Sequence, residues 1–516
     1  MRQETVFCPI EYSDKLGRDF CALSKENKET FGQYFTPHEV AGFMASLLEP
    51  VDKSTVRILD PGAGSGVLAS AAVTALVLKS SGSVRRFHID LFEIDPSLVN
   101  QLESAMGNLR LWCQDRGKIL TYRIRIEDFV LSSSSAVGNQ PSLIQKPEEY
   151  DVVISNPPYF KISKDDSRAV ACKSIVHGQP NIYSLFMAIA AALLTKNGQL
   201  VFITPRSFAS GQYFKAFRSY FFSKVSISRI HQFVSRIDAF NRDSVLQENI
   251  ITYCKQGISR SNQVVISSSQ GRSDLASCSF LKVAESEILD SKNDFVLSLP
   301  CEERDLKVLR LVSSWKNRLE KMGLQISTGP VVPFRATTFL SKEKSKASVP
   351  LYWIQHIKPM QTQFPLKEFR KQQWLQHTES SEKLLVRNQN MILMRRFSPK
   401  EDFRRITVAP FLNGTYKGKF IGLENHLNYI YRSKGMFTNA EMYGLSAFLS
   451  SGLFDAYFRI LNGNTQVSAT ELRSTPLPAQ KVLIELGELV IKSKAVLHQE
   501  IDALVDDMIG NLCEKN

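Results

Sequence analysis

The residues with the clearest chemical content are Asn156-Pro157-Pro158-Tyr159. They follow a short apolar run, Asp151 to Ser155 (DVVIS), which predicts a buried strand. Two consecutive prolines cannot continue a hydrogen-bonded ladder, so the strand must stop and the chain must turn there. The turn presents one amide side chain, one carbonyl left free because proline donates nothing, and one aromatic ring. That set suits an exocyclic amino group on a flat ring. Asn156 Oδ1 and the Pro157 carbonyl can accept its two hydrogens, and Tyr159 can stack on the ring. The competing reading is a plain strand-end turn, since Pro and Asn are common turn formers. The four residues alone leave both readings open.

The elements that must position this turn lie upstream. Val56 to Leu59 reads as a strand, followed by Asp60-Pro61-Gly62-Ala63-Gly64-Ser65-Gly66 and a helix through Lys79. Strand, glycine turn and helix form the context of a nucleotide-binding loop. Gly62, Gly64 and Gly66 let the backbone approach a ligand closely, and packing of the glycines is the alternative. A second strand, His88 to Phe92, ends at Glu93, where a carboxylate can hold ribose hydroxyls. A third, Leu120 to Ile126, ends at Glu127-Asp128-Phe129, an acid able to accept from an adenine amino group beside a ring to lie against it. Before the first strand, Val40, Met44, Leu47 and Leu48 recur at helical spacing. Thr36 is expected as N-cap of that helix, with Pro37 in its first position and Glu39 completing a capping box. The open N–H groups of such a helix start can face an anion.

Beyond the turn, residues 160–180 read as a polar loop able to close over a substrate. A helix (181–194), a strand (199–204), a helix (207–222) and strands at 227–233 and 250–254 complete the pattern. The expected fold is α/β, a Rossmann-like doubly wound sheet of seven strands. Ligands in such sheets sit at the carboxyl ends of strands. Gly64, Glu93, Asp128 and Asn156 all fall there, on four successive strands, and that convergence favours a site over a turn.

The 516-residue chain carries a net charge of +13. Residues 321–440 hold 20 Lys+Arg against 7 Asp+Glu, which accounts for the whole excess. Aromatics are interleaved there (Phe334, Trp353, Phe364, Trp374, Phe397, Phe403), which favours a nucleic-acid surface over a merely solvated basic face. No apolar run reaches membrane-spanning length. Eight cysteines with no C-x-x-C pair predict reduced thiols in a cytoplasmic protein and suggest no metal site. Residues 258–300 are serine-rich and read as a connecting segment between domains.

In this order the motifs resemble the gamma-class adenine-N6 DNA methyltransferases of bacterial restriction–modification systems: GQYFTP, DPGAGSG, EID, EDF, NPPY, then a recognition domain. TGPVVPFR, RRFS, ENHLNY and NGNTQVSATELRSTPLP look like the target-recognition halves of the same group. The resemblance implies a catalytic domain over residues 1–257, the connecting segment 258–300, and a mixed α/β target-recognition domain over 301–516. It implies S-adenosyl-L-methionine as cofactor. Thr36, Asp60 and the loop Gly62 to Gly66 would surround its methionine part, Glu93 its ribose, and Asp128 with Phe129 its adenine. Asn156, Pro157, Tyr159 and a further stacking ring, Phe240, would handle a flipped-out adenine. Arg395, Arg396, Asn425, Asn464 and Gln466 would contact double-stranded DNA. The sulfonium carries its own leaving group, so no metal is implied, and a cognate restriction endonuclease would be a separate chain. Two other readings remain: an RNA-adenine or protein-glutamine N-methyltransferase, of which the large basic half argues against the small protein-modifying type, and a silent DNA-binding specificity subunit, against which the intact NPPY and glycine loop argue.

Overall fold

The computed structural model describes residues 7–23, 35–80, 82–138, 148–234, 248–257, 263–399, 402–463 and 466–513. Phe240 and Asn464 lie outside them. The chain forms two compact units, residues 1–302 and 303–516.

The first unit is built on one mixed sheet. Its strands are β1 (Thr55–Asp60), β2 (Arg86–Glu93), β3 (Ile119–Ile126), β4 (Tyr150–Ser155), β5 (Leu194–Pro205), β6 (Val225–Phe233), β7 (Asn249–Gln256), β8 (Gln263–Ser269) and β9 (Ser279–Ala284). They lie in the order β3-β2-β1-β4-β5-β7-β6-β8-β9. The first five are parallel. β7 runs antiparallel to β5 and β6, β8 parallel to β6, and β9 antiparallel to β8. Every residue of β4 is buried, which is why DVVIS has no polar alternation. The chain winds outward from β1 to β3, then returns to place β4 on the other side of β1. The loops after β1 and β4 therefore diverge and open a crevice at the carboxyl ends of those strands.

Two expectations are corrected here. The sheet has nine strands where seven were expected, and the extra pair, β8 and β9, comes from the segment read as a connector. Val264, Ile266, Leu281 and Val283 alternate into the core, and four of the serines that suggested a linker, Ser267, Ser268, Ser269 and Ser279, are strand residues. Ser267 and Ser269 hydrogen-bond the buried His231 ring at 2.9 and 3.0 Å. Thr36 is also not an N-cap. Pro37 stays extended (ψ 149°) and occupies the cap position, and the helix His38–Ser46 begins one residue later without a side-chain cap. The Pro37 carbonyl accepts the Ala41 N–H at 3.0 Å, and Glu39 lies 3.4 Å from the His38 ring instead of closing a capping box.

The second unit holds a four-stranded antiparallel sheet, in the order Leu324–Thr328, Leu427–Arg432, Met391–Arg395, Val408–Phe411. A five-stranded mixed sheet and a set of helices accompany it. Helices Asn439–Ser450 and Gln480–Ser493 meet backbone to backbone. A Cβ on Gly444 would fall 1.7 Å from the Leu483 carbonyl oxygen, and one on Gly487 1.8 Å from that of Ala440. Of the interleaved aromatics, Trp353 belongs to the core, while Phe334, Phe397 and Phe403 are exposed. Among the described residues, no helix is long and apolar enough to cross a membrane.

Candidate active site

A cavity of about 330 Å³ opens at the carboxyl ends of β1 to β4. Gly62, Gly64, Glu93, Asp128, Phe129 and Asn156 all line it. Gly64 adopts φ +54°, a left-handed conformation natural to glycine. Its N–H donates to Glu93 Oε2 at 2.8 Å. Glu93 Oε1 accepts the Ile94 and Asp95 N–H groups at 2.9 Å each. Burial, together with the nearby Asp95 charge, still holds the Glu93 carboxyl above its ordinary range despite these three donors. Gly66 (φ +78°) does something else. It caps the helix Val67–Lys79, and a Cβ there would come within 2.9 Å of Leu102, so this glycine serves packing.

Asp60, at the end of β1, is fully buried behind the loop. Neither of its carboxylate oxygens has a hydrogen-bond partner. Burial raises its pKa to about 7, with Glu93 adding to the rise and the Gly62 and Ala69 amides partly offsetting it. A buried, unpaired carboxyl is expensive to maintain and marks a place where a cationic or donor group is expected.

Asn156 is held at both ends of its amide. Nδ2 donates to Thr36 Oγ1 at 3.1 Å, and Oδ1 accepts from the Tyr159 hydroxyl. The same hydroxyl reaches the Ile203 carbonyl oxygen at 3.0 Å. Thr36 thus enters the site through Asn156. The Tyr159 ring is buried and meets Tyr183 edge-on, centroids 6.2 Å apart.

Phe35, Phe186 and Arg168 are among the cavity residues that the sequence reading did not single out. Phe186 packs on Phe129 with centroids 5.1 Å apart. It sits in the apolar helix Ile182–Ala192, where one more aromatic looks like core. Arg168 comes from the polar segment after NPPY. It grips Asp166 at 2.8 and 2.7 Å and lies 3.7 Å from Asp128 Oδ2. Asp128 Oδ1 meanwhile caps the short helix Phe129–Ser133 through the Leu131 N–H at 3.0 Å.

Residues 90–240 match the family model described as Eco57I restriction-modification methylase. The chain is 32% identical over 494 residues to the type II methyltransferase M.BsuBI of Bacillus subtilis, covering 94% of this chain and 95% of the relative. The chain belongs to the type II restriction-modification methyltransferases. Its cofactor is S-adenosyl-L-methionine. Over a shorter stretch the enzyme is similar to the tRNA1(Val) (adenine(37)-N6)-methyltransferase of Cronobacter sakazakii, at 26% identity over 202 residues, 37% of this chain and 69% of the relative. In fold, the enzyme is similar to a nuclease-deletion mutant of the type ISP restriction-modification enzyme LlaGI in complex with a DNA substrate mimic. That match has a TM-score of 0.52 and 13% identity and covers 93% of this chain and 48% of that one.

In the second unit of this methyltransferase, the structure redirects the residues expected to face DNA. Arg395 points inward, with Nε and Nη2 donating to the Ile357 carbonyl oxygen at 2.9 and 2.6 Å, and burial lowers its pKa. Arg396 Nη1 donates to the Asn425 carbonyl oxygen at 3.0 Å. Gln466, with its amide oxygen turned toward the guanidinium, accepts from Arg396 Nε and Nη2 at 3.0 and 2.6 Å. The Asn425 side-chain oxygen is buried without a partner.

Proposed function

We propose that this enzyme methylates N6 of an adenine flipped out of double-stranded DNA, and so protects a specific sequence from a nuclease carried on another chain. The observation that carries the reading is Asn156, which lines the cavity with its amide hydrogen-bonded at both ends, to Thr36 and to Tyr159. Adenine is favoured because 202 residues of the chain resemble an enzyme named for adenine N6. Duplex DNA is favoured by the basic second unit and by the fold shared with an enzyme studied on a DNA mimic.

The residues around the cavity fit S-adenosyl-L-methionine, which when bound supplies an activated methyl group on sulfur. The unpaired Asp60 carboxyl suits its ammonium end, the Gly62–Gly64 backbone its methionine part, Glu93 its ribose hydroxyls, and Phe129 with Phe186 and Asp128 its adenine. About 330 Å³ is within the usual range for such sites, roughly 300–1,000 Å³.

An adenine amino nitrogen is a poor nucleophile because its lone pair is delocalised into the ring. Asn156 Oδ1 and the Pro157 carbonyl can each accept one of its hydrogens, returning electron density to nitrogen and holding it in line for transfer. A carbonyl oxygen has two acceptor directions, so Oδ1 can serve the amino group while it still receives the Tyr159 hydroxyl. Stacking on Tyr159 and Phe240 would offset part of the unstacking cost, a few kcal/mol. Tritiated-methyl transfer to duplex DNA, followed by separation of the modified bases, tests the reading. N6-methyladenine is expected, and methylcytosine as the product would overturn it.

A further inference from the structure

Four separated sequence motifs of the second unit converge on one turn. Val331 bridges to Glu424 and Phe397 to Gln466. The Arg396 N–H donates to the His426 carbonyl at 2.9 Å, and the Val467 N–H to the Arg396 carbonyl at 2.7 Å. The buried Asn428 side chain ties the same place together, donating to the Val467 carbonyl at 2.9 Å and accepting from the Thr328 hydroxyl at 2.9 Å.

Two side chains face outward from this scaffold. The His426 side chain is 45% exposed while that of Glu424 is fully buried. The Phe397 ring is 37% exposed and meets the imidazole edge-on, centroids 5.0 Å apart. Glu424 Oε1 faces His426 Nδ1, and Oε2 accepts the His426 backbone N–H at 3.1 Å. A ring nitrogen facing a carboxylate must carry hydrogen, so the buried acid fixes the ring's orientation and its Nδ1–H. No described group bonds the outer nitrogen, Nε2. Two neighbouring cations, Arg395 and Arg396, are committed internally.

We propose that His426 is a sequence-reading residue of the enzyme, presenting Nε2 to a base edge with Phe397 beside it, and that Glu424 positions the imidazole. This rests on the reading of the chain as a DNA methyltransferase. A rigid imidazole and ring, with Arg395 and Arg396 bonded within the protein, suit base discrimination better than phosphate binding, which relies on Arg and Lys charge.

The experiment selects bound duplexes from a random-sequence pool with the full-length protein, His426→Ala, Phe397→Ala and Glu424→Gln, so it does not depend on catalysis. The parent protein should enrich one motif. His426→Ala should lose preference at one position and bind the parent motif about 5- to 150-fold more weakly, with unchanged S-adenosyl-L-methionine affinity. Glu424→Gln should relax the same position to a smaller degree, which a purely structural role would not do. Equal weakening on every duplex with a shallower salt dependence would mean a phosphate contact and overturn the proposal. Unchanged selectivity in His426→Ala, or no motif enriched by the parent, would overturn it too. A parent that selects a motif yet makes no N6-methyladenine would refute only the catalytic reading.

Discussion

The cavity beside β1 and β4 and the turn around His426 treat their polar groups in opposite ways. Unmet demand is kept at and behind the cavity wall: Glu93 on the wall is held above its ordinary pKa, and behind it both Asp60 oxygens lack partners. At the turn, Arg395, Arg396 and Gln466 are satisfied by the protein itself. A site that must grip a charged small molecule can store electrostatic cost until the ligand arrives. A site that meets a solvated duplex gains more from fixing the few groups it shows.

The strongest way to break this contrast is Asn156→Ala. It removes one preorganised acceptor, and methyl transfer should fall at least about 10²- to 10³-fold. Cofactor affinity by calorimetry should stay near that of the parent. Substantial N6-methyladenine formation would show that the amide is not needed.

Asp60→Asn sharpens the comparison. With a folded pKa near 7 against an ordinary unfolded one, the native state binds more protons than the unfolded state across roughly pH 4 to 7. The Asp60 contribution to stability is therefore fully present below that window and lost as pH rises through it, by on the order of 4 kcal/mol. In the cofactor-free protein, the parent should lose stability relative to Asp60→Asn as pH rises across that interval, with no further divergence above it. Parallel melting curves for the two would mean that Asp60 is not raised.

The smallest expected effect on DNA belongs to Arg395→Ala. Loss of two charged hydrogen bonds to Ile357 should destabilise the second unit by roughly 1–3 kcal/mol, seen in denaturant unfolding. The slope of log affinity against log salt should stay unchanged. A drop in that slope by about one would restore Arg395 to the DNA contacts.

What could be read from the sequence follows from the same physics. Gly64, Glu93, Asp128 and Asn156 were legible because backbone geometry demands them: a left-handed turn, strand ends, a proline stop. Phe186 was not, because an aromatic on an apolar helix carries no mark of facing a cavity. Arg168 was not, because its pairing with Asp166 and approach to Asp128 depend on how residues 160–181 fold back. Serine content hid β8 and β9, since in a strand those hydroxyls can serve a buried imidazole. Arg395 misled because composition reports a charge but not its direction.

The double tether on Asn156 has one more consequence. An unrestrained amide can turn over and exchange its oxygen for its nitrogen, offering a donor where it had offered an acceptor. Thr36 and Tyr159 hold the amide in place at both ends, and a bound amino group, which needs an acceptor, selects the state with the oxygen toward it. On the proposed reading, the pocket therefore welcomes a ring substituent that carries hydrogens and repels one that carries only lone pairs. Hypoxanthine, the deaminated form of adenine, presents an oxygen at that position and would meet two carbonyls face to face. A backbone carbonyl that cannot turn over, beside an amide that must, would thus make the enzyme disfavour a damaged base before any cofactor is consumed.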